Sequence, residues 1–354
     1  MREAAYNLLM QGAFIPAMPL ALQANRQFDE AVQRRLVRYY MAAGVDGLAV
    51  AVHTTQFEIR NPEYNLLETV LRTAAEEIFA YEQAQGKTIL RIAGVCGYTE
   101  QAVREARLAR SLGYDAVLLS PGGLGGYDEN YLIERTRCVA QEIPVIGFYL
   151  QPSVGGRIFS SAYWEALCAI PGLVAIKCAP FNRYLTLDVV RAVALSGREI
   201  ALYTGNDDNI MADLLTSMRV TRDGKEHSAR FVGGLLGHWA VWTHTAVDYF
   251  HQARAAAQKG EIPSELMALG AQITDANSAF FDTRNQFAGC IAGVHEVLRR
   301  QGLFQNILCL NPRETLSPGQ MEEIDRVYAA YPALNDDAFV KRFLAIDRAE
   351  HPHD

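Results

Sequence analysis

Short apolar segments rich in β-branched residues recur along residues 13–258, and longer segments with helical periodicity separate them. This alternation favours parallel strands, because a parallel partner is reached only through a crossover connection. Eight such units in about 250 residues match the size of a (β/α)8 barrel, which the sequence therefore predicts. The expected strands are Phe14–Leu20, Gly47–Val52, Thr88–Val95, Ala116–Ser120, Pro144–Leu150, Val174–Ala179, Ile200–Thr204 and Phe231–Leu236.

A doubly wound open sheet is the competing fold for the same alternation. It usually has fewer strands, and the GxGxxG motif that often follows its first strand is missing here. The glycine-rich stretch 122–126 follows the fourth segment and lacks that spacing, so we interpret it as a flexible loop.

From Pro263 onward the pattern is helical only, over Ser264–Phe281, Arg284–Arg300 and Gln320–Ala330. We therefore predict a catalytic barrel over residues 1–260 and an appended helical subdomain over residues 261–354.

Composition limits the kinds of molecule and compartment that this protein is expected to associate with. The 40 acidic residues outnumber the 33 Lys and Arg residues, for a formal charge of −7, which argues against nucleic acid. No apolar run approaches the ~18 residues that a membrane helix needs, so no membrane association is expected. Six cysteines without a CxxC pair indicate buried thiols in a cytoplasmic protein.

One lysine stands out in the predicted strands. Alternation along the sixth strand places Lys177 on the inner face between Ala175 and Ala179, near the end where barrel enzymes carry their active sites. Burial disfavours the ammonium form, and a neutral amine can attack a carbonyl to form a Schiff base. A structural ion pair is the alternative interpretation.

The fifth strand carries a possible partner. We predict that Val145, Gly147 and Tyr149 face inward, which would place the phenol of Tyr149 beside Lys177 as an acid/base group. A core tyrosine is the alternative.

Further polar groups lie at the ends of other predicted strands. Thr54 and Thr55 offer hydroxyl donors for a carboxylate, or else cap the next helix. His53 precedes them, and Gly237 and His238 follow the eighth strand at the barrel mouth. We predict that both histidines donate hydrogen bonds to a substrate.

These residues resemble the dihydrodipicolinate synthase / N-acetylneuraminate lyase family, whose members are Schiff-base barrel lyases that act on pyruvate and other 2-oxo acids. The resemblance implies Lys177 as the Schiff-base lysine, Tyr149 as its acid/base partner, and Thr54 and Thr55 as carboxylate contacts or proton relay. The matching stretches are residues 44–48 leading to Thr54-Thr55, residues 149–156, Ile176-Lys177, and residues 203–208, where Gly205 and Asp207 are expected substrate contacts.

Two departures from the family pattern bear on the substrate. The loop after the fourth strand lacks the synthases' relay tyrosine, and Tyr127 follows only several residues later. Val154 stands where the synthases carry an arginine. The sequence therefore predicts a more open, less charged pocket that takes a different second substrate from that of dihydrodipicolinate synthase.

The leading hypothesis is a Schiff-base lyase, aldolase or dehydratase for a small 2-oxo acid or keto sugar acid, working without a metal or organic cofactor. The alternative is an altered barrel that binds a 2-oxo acid in a regulatory role. A metal-dependent enzyme needs converging ligands, and His244 and His251 would lie about 10 Å apart along one helix. The resemblance and the helical tail also suggest a homo-oligomer, either a dimer or a tetramer.

Overall fold

Eight parallel strands form a barrel, as the alternation of apolar and helical segments predicts. The computed structural model describes residues 1–352. Each of the eight predicted strands is present, although β1 is shorter than expected and the last barrel strand is longer. The strands are β1 (Phe14–Pro16), β2 (Gly47–Val50), β3 (Leu90–Val95), β4 (Ala116–Leu119), β5 (Val145–Leu150), β6 (Leu173–Ala179), β7 (Ala201–Thr204), β8 (Ser217–Arg222) and β9 (Lys225–Leu236).

The order of neighbouring strands is β1-β9-β7-β6-β5-β4-β3-β2. The barrel closes between its first two strands, where Ala17 and Ala49 form a parallel bridge and the Met18 amide donates to the Ala49 carbonyl at 2.9 Å. The carboxyl ends of all eight barrel strands therefore meet at one mouth.

Helices cover the outside of the barrel and form the tail. Several begin at side-chain caps, as where Asp29 accepts a hydrogen bond from the Val32 amide and Ser160 from the Tyr163 amide. The helices are α1 (Glu3–Gln11), α2 (Glu30–Ala43), α3 (Leu67–Gln85), α4 (Thr99–Ser111), α5 (Glu129–Ala140), α6 (Ser161–Cys168), α7 (Arg183–Leu195), α8 (Ile210–Leu215), α9 (Thr243–Lys259), α10 (Ser264–Phe280), α11 (Cys290–Arg300), α12 (Gln320–Ala330) and α13 (Asp337–Glu350).

Helix α1 closes the bottom of the barrel, which the sequence analysis did not predict. Its buried residues Ala5 and Leu9 join the apolar cluster inside the barrel. The Tyr203 hydroxyl donates to the Leu9 carbonyl at 2.7 Å and accepts from the Ala13 amide at 3.1 Å. The end opposite the mouth is therefore sealed by packed side chains.

The connection between β7 and β9 also differs from expectation. A short helix, α8, is followed by strand β8, which pairs antiparallel with the first half of β9. The last barrel strand thus begins at Lys225 rather than Phe231. The hairpin's first half alternates exposed and half-buried positions, so it lacks the continuous apolar run of a buried strand.

The tail contains the three predicted helices and an additional one, α13. The second helix is shorter than predicted, because α11 begins only at Cys290. Residues 281–289 instead form a 3₁₀ turn and irregular backbone. The division into units at residues 260 and 261 stays a prediction, and residues 353 and 354 lie outside the described part.

Between residues 1 and 352, no helix combines the length and the apolar character required to cross a membrane.

Candidate active site

A cavity opens at the mouth of the barrel and contains Lys177. Strand ends, the loops that follow them and the tail segment before α11 all contribute to its wall. The polar lining residues are His53, Thr54, Gln151, Lys177 and Asp207, with glycines at 205 and 237. The apolar lining residues are Ala17, Val52, Leu118, Phe148, Leu150, Val154, Ala179, Phe181, Phe281, Phe287 and Cys290.

Lys177 projects into the barrel from β6, as alternation predicts. Its register partners are Phe148 on β5 and Tyr203 on β7. The Lys177 ammonium lies 4.6 Å from the centroid of the Phe148 ring. Its stem crosses Gly205, where an added Cβ would come within 2.5 Å of the lysine Cε. Gly205 is therefore needed to leave room for the lysine.

Burial lowers the pKa of Lys177 well below its ordinary value of 10.5, and the negative charge of Asp207 partly opposes this shift. A larger fraction of this side chain is therefore the neutral, nucleophilic amine near neutral pH than for a surface lysine.

Asp207 lies on the turn after β7 and is held from two sides. One carboxylate oxygen accepts the backbone N–H of His238 at 2.9 Å. The Asn277 amide, on α10, donates to the Asp207 carbonyl at 2.7 Å. Burial raises the pKa of Asp207, while the His238 amide and the positive charge of Lys177 act in the opposite direction. Asp207 is thus a fixed carboxyl group that can hold a proton near neutral pH.

His53 lines the cavity on the side of β2. Burial and, secondarily, the positive charge of Lys177 lower its pKa to about 4. The imidazole is therefore neutral near pH 7, with one nitrogen able to donate and the other to accept.

The two threonines occupy different environments. Thr54 lines the cavity, and its hydroxyl donates to the carbonyls of Ala17 at 2.9 Å or Met18 at 3.2 Å. Thr55 is fully buried, donates to the Met18 carbonyl at 2.6 Å and accepts from the Val52 amide. Thr55 is not among the lining residues and its hydroxyl already has backbone partners, so its contact with substrate stays a prediction.

Tyr149 does not face the lysine, so the predicted orientation of the fifth strand is wrong. Partners in a parallel register share a face, and Tyr149 pairs with Cys178, one residue beyond Lys177. The Tyr149 ring packs in the helical layer, 4.8 Å from Trp164 and 5.6 Å from Phe159 between ring centroids.

Alternation is unbroken along β5: Ile146, Phe148 and Leu150 belong to the apolar cluster inside the barrel, whereas Val145 and Tyr149 belong to the outer cluster. Within the described residues, Tyr149 is absent from the cavity lining. The sequence could not show which face of β5 points inward, because both faces of a barrel strand are apolar.

His238 also lies outside the cavity. Its ring is buried against Tyr249, with centroids 6.2 Å apart, and its contribution to the site is the backbone amide that holds Asp207. The ring is not brought to the lining, and its contact with substrate stays a prediction. Neighbouring Gly237 does line the cavity, and the Phe281 ring packs over it.

The structure thus brings together six of the predicted site residues, which are His53, Thr54, Lys177, Gly205, Asp207 and Gly237. Sequence analysis missed Gln151 and the apolar groups that the tail contributes. Gln151 stands in a stretch that carried the family resemblance, but the three phenylalanines at 181, 281 and 287 follow no motif.

Comparison with known proteins gives the family. Residues 10–220, more than half of the chain, match the dihydrodipicolinate synthetase family. This protein belongs to that family. Among curated relatives, N-acetylneuraminate lyase from Citrobacter koseri is 26% identical to this chain over 205 residues. The match covers 57% of this chain and 64% of the relative, which is less than two thirds of its length.

Two further similarities extend over more of the chain. It is 24% identical over 280 residues to 4-hydroxy-tetrahydrodipicolinate synthase from Cyanothece, covering 77% of this chain and 84% of the relative. The dihydrodipicolinate synthase from Acinetobacter baumannii, solved in complex with pyruvate, superposes with a TM-score of 0.71 at 18% identity. That match covers 90% of this chain and 98% of the solved chain, and it confirms the barrel with its helical tail.

The two departures from the synthase pattern are visible in the structure. Tyr127 lies outside the cavity lining and packs on exposed Tyr98, with centroids 5.5 Å apart. Arg157 bonds to the Tyr127 carbonyl, and Val154 lines the cavity. Lys177 is consequently the one Lys or Arg side chain among the described residues that line the site.

Among residues 1–352 there is also no group of three His, Cys, Asp or Glu side chains arranged to hold a metal ion.

Proposed function

We propose that this protein is a Schiff-base lyase acting on a small 2-oxo acid, with Lys177 as the nucleophile. The observation that carries the proposal is the burial of Lys177 in a cavity that also contains a fixed carboxyl group, Asp207. Burial supplies the neutral amine, and the carboxyl group supplies a proton donor and acceptor.

The proposed reaction begins with attack of the Lys177 amine on the ketone carbon. Loss of water from the resulting carbinolamine leaves a protonated imine, which withdraws electrons from the bond to be broken or formed. Asp207 is the one carboxyl group in the described lining, so we assign it the proton transfers that the resemblance would give to Tyr149. His53, being neutral, can orient a hydroxyl or carbonyl oxygen by hydrogen bonding.

The 2-oxo acid is proposed because the Acinetobacter baumannii relative was solved in complex with pyruvate. Besides His53, Thr54 and Gln151 are the neutral hydrogen-bonding side chains of the described lining, and we propose that they hold the carboxylate. Gln151 supplies two N–H donors, whereas the Thr54 hydroxyl must first release a backbone carbonyl.

Borohydride trapping tests this proposal. Incubation with pyruvate and borohydride should reduce the imine and leave one 1-carboxyethyl group on the chain, and peptide mapping should place that group on Lys177. The reason is that burial makes its amine more nucleophilic than that of an exposed lysine at the same pH. Labelling of another lysine, or of none, would contradict the assignment.

One observation favours the alternative, a barrel that binds a 2-oxo acid without turning it over. The Tyr149 hydroxyl lies outside the cavity, so the family's acid/base group is not in place. A binding protein of this kind would form the trapped adduct but would neither condense pyruvate with aldehydes nor cleave 4-hydroxy-2-oxo acids. Measured turnover therefore separates the two functions.

Synthesis of the dihydrodipicolinate precursor is expected to be weak or absent. Val154 leaves the lining without the arginine of the synthases, and Arg157 bonds to a backbone carbonyl instead. A coupled assay of pyruvate with aspartate semialdehyde should show little turnover, whereas pyruvate trapping at Lys177 proceeds. Rapid condensation in that assay would overturn this prediction.

A homo-oligomer and a cytoplasmic location remain predictions from the sequence.

A further inference from the structure

Three phenylalanines cover the cavity and form a surface we call the phenylalanine roof: Phe181, Phe281 and Phe287. Phe181 follows β6, whereas the other two belong to the tail segment between α10 and α11. The rings of Phe181 and Phe287 lie 5.7 Å apart between centroids. Phe281 is 4% exposed and packs over Gly237.

The backbone is strained at two of these residues, Phe181 and Phe287. Phe181 has φ +50° and Phe287 has φ +67°, a region that bulky residues rarely adopt. Asp282 and Gln286, in the same tail segment, also have positive φ. Strain of this kind persists where surrounding contacts impose it, and it concentrates at ligand sites. Here it brings aromatic rings over the mouth of the barrel.

The remaining wall is also mostly apolar. The polar side chains belong to strands or the loops directly after them, and none belongs to the tail segment. A polyhydroxylated chain under the roof would lose hydrogen bonds to water without finding partners, which is costly.

From this arrangement we propose that the second reactant of the Lys177 chemistry is an aldehyde with an apolar substituent, which the phenylalanine roof selects over a hydroxylated aldehyde. This inference rests on the proposed function. Asp207 takes a proton from C3 of the protonated imine, which gives the enamine. C3 then attacks the aldehyde carbon, and the aldehyde oxygen takes that proton from Asp207. Water then cleaves the imine, releasing a 4-hydroxy-2-oxo acid and the free Lys177 amine. The reverse sequence releases the apolar aldehyde.

Matched aldehydes test the selection, because the members of each pair differ only by methyl groups in place of hydroxyl groups, one in the first pair and two in the second. Propanal is compared with glycolaldehyde, and 2-methylbutanal with glyceraldehyde, each with pyruvate as donor. We expect kcat/KM to favour the methyl member of each pair by about 10–100-fold, the range open to an apolar pocket. Equal rates, or a preference for the hydroxylated aldehydes, would overturn the proposal.

Variants of the phenylalanine roof test whether these side chains cause the preference between aldehydes. Phe287→Ser and Phe181→Ser should each bring the paired rates closer together, while pyruvate trapping at Lys177 is retained. Phe79→Ser is the matched control, since Phe79 is exposed on α3, outside the cavity lining. An unchanged preference in both roof variants would reject the assignment to the roof. If the protein without substitutions forms no pyruvate adduct, the proposed function itself is rejected.

Discussion

Lys177→Met is expected to abolish the pyruvate adduct and all turnover. Methionine keeps an unbranched side chain against Phe148 and over Gly205 but has no nucleophilic nitrogen. Among the described lining residues there is no second lysine that could form the imine in place of Lys177. Intact-mass measurement after borohydride treatment should show the unmodified mass, and aldol activity should fall to background.

The same variant should fold normally, and this separates chemistry from stability. Burial depresses the pKa of Lys177, so the folded state disfavours its positive charge relative to the unfolded state. Below that depressed pKa the charge is a cost of folding, and removing it should not lower the thermal unfolding temperature. Lys259→Met, at the exposed end of α9, is the control and should keep full activity. An adduct on the Lys177→Met protein would refute the mechanism.

Asp207→Asn is expected to reduce the rate of the chemical step by about 10²–10⁴, the usual contribution of a general acid/base. Asparagine can still accept the His238 N–H bond, but it cannot transfer a proton. Asp208→Asn is the matched control, because Asp208 is the adjacent carboxyl group, is exposed and does not line the cavity. Single-turnover rates with pyruvate and an aldehyde provide the measurement.

Tyr149→Phe tests whether Tyr149, rather than Asp207, transfers the proton. The structure places the hydroxyl in the helical layer beside Trp164, so its removal should leave turnover nearly unchanged. A loss of activity equal to that of Asp207→Asn would show that Tyr149 carries the proton transfer and would refute our assignment to Asp207.

The pH dependence gives a readout that a merely structural role for Asp207 would not produce. Adduct formation should rise with pH and level off well below 10.5, because the pKa of Lys177 is lowered by burial. The Asp207 anion opposes that shift, so its removal should lower the lysine pKa further. Asp207→Asn should therefore move the rising limb of the trapping profile to lower pH. A limb that stays in place would show that Asp207 does not interact with the lysine.

The strand pattern was sufficient to predict the barrel and the inward position of Lys177. Eight apolar segments separated by helices leave few topologies, and the small residues beside Lys177 mark the face with room for a long side chain. The same alternation failed for Tyr149, because β5 is apolar on both faces and the pattern does not show which face points inward. The family resemblance also implied that Tyr149 lies beside Lys177, so it did not reveal the error.

Other parts of the site depend on contacts that local patterns do not encode. Gln151 stands in a stretch that resembles the family, but nothing in that stretch marks its side chain as part of the lining, and Phe281 resembles the end of an ordinary amphipathic helix. The position of Phe281 follows from how α10 packs on the barrel, where Asn277 bonds to the Asp207 backbone. Such contacts between distant segments require the assembled fold.

The dependence of the site on Asn277, Phe281 and Phe287 has a consequence for synthesis on the ribosome. All eight barrel strands have been translated at Leu236, yet the last cavity residue in the chain, Cys290, comes 290 − 236 = 54 residues later. At about 5–20 residues per second, that interval lasts about 3–11 seconds. During that interval the growing chain contains Lys177 and all eight strands but lacks part of the cavity wall, so the wall can be completed only after the tail segment has been translated.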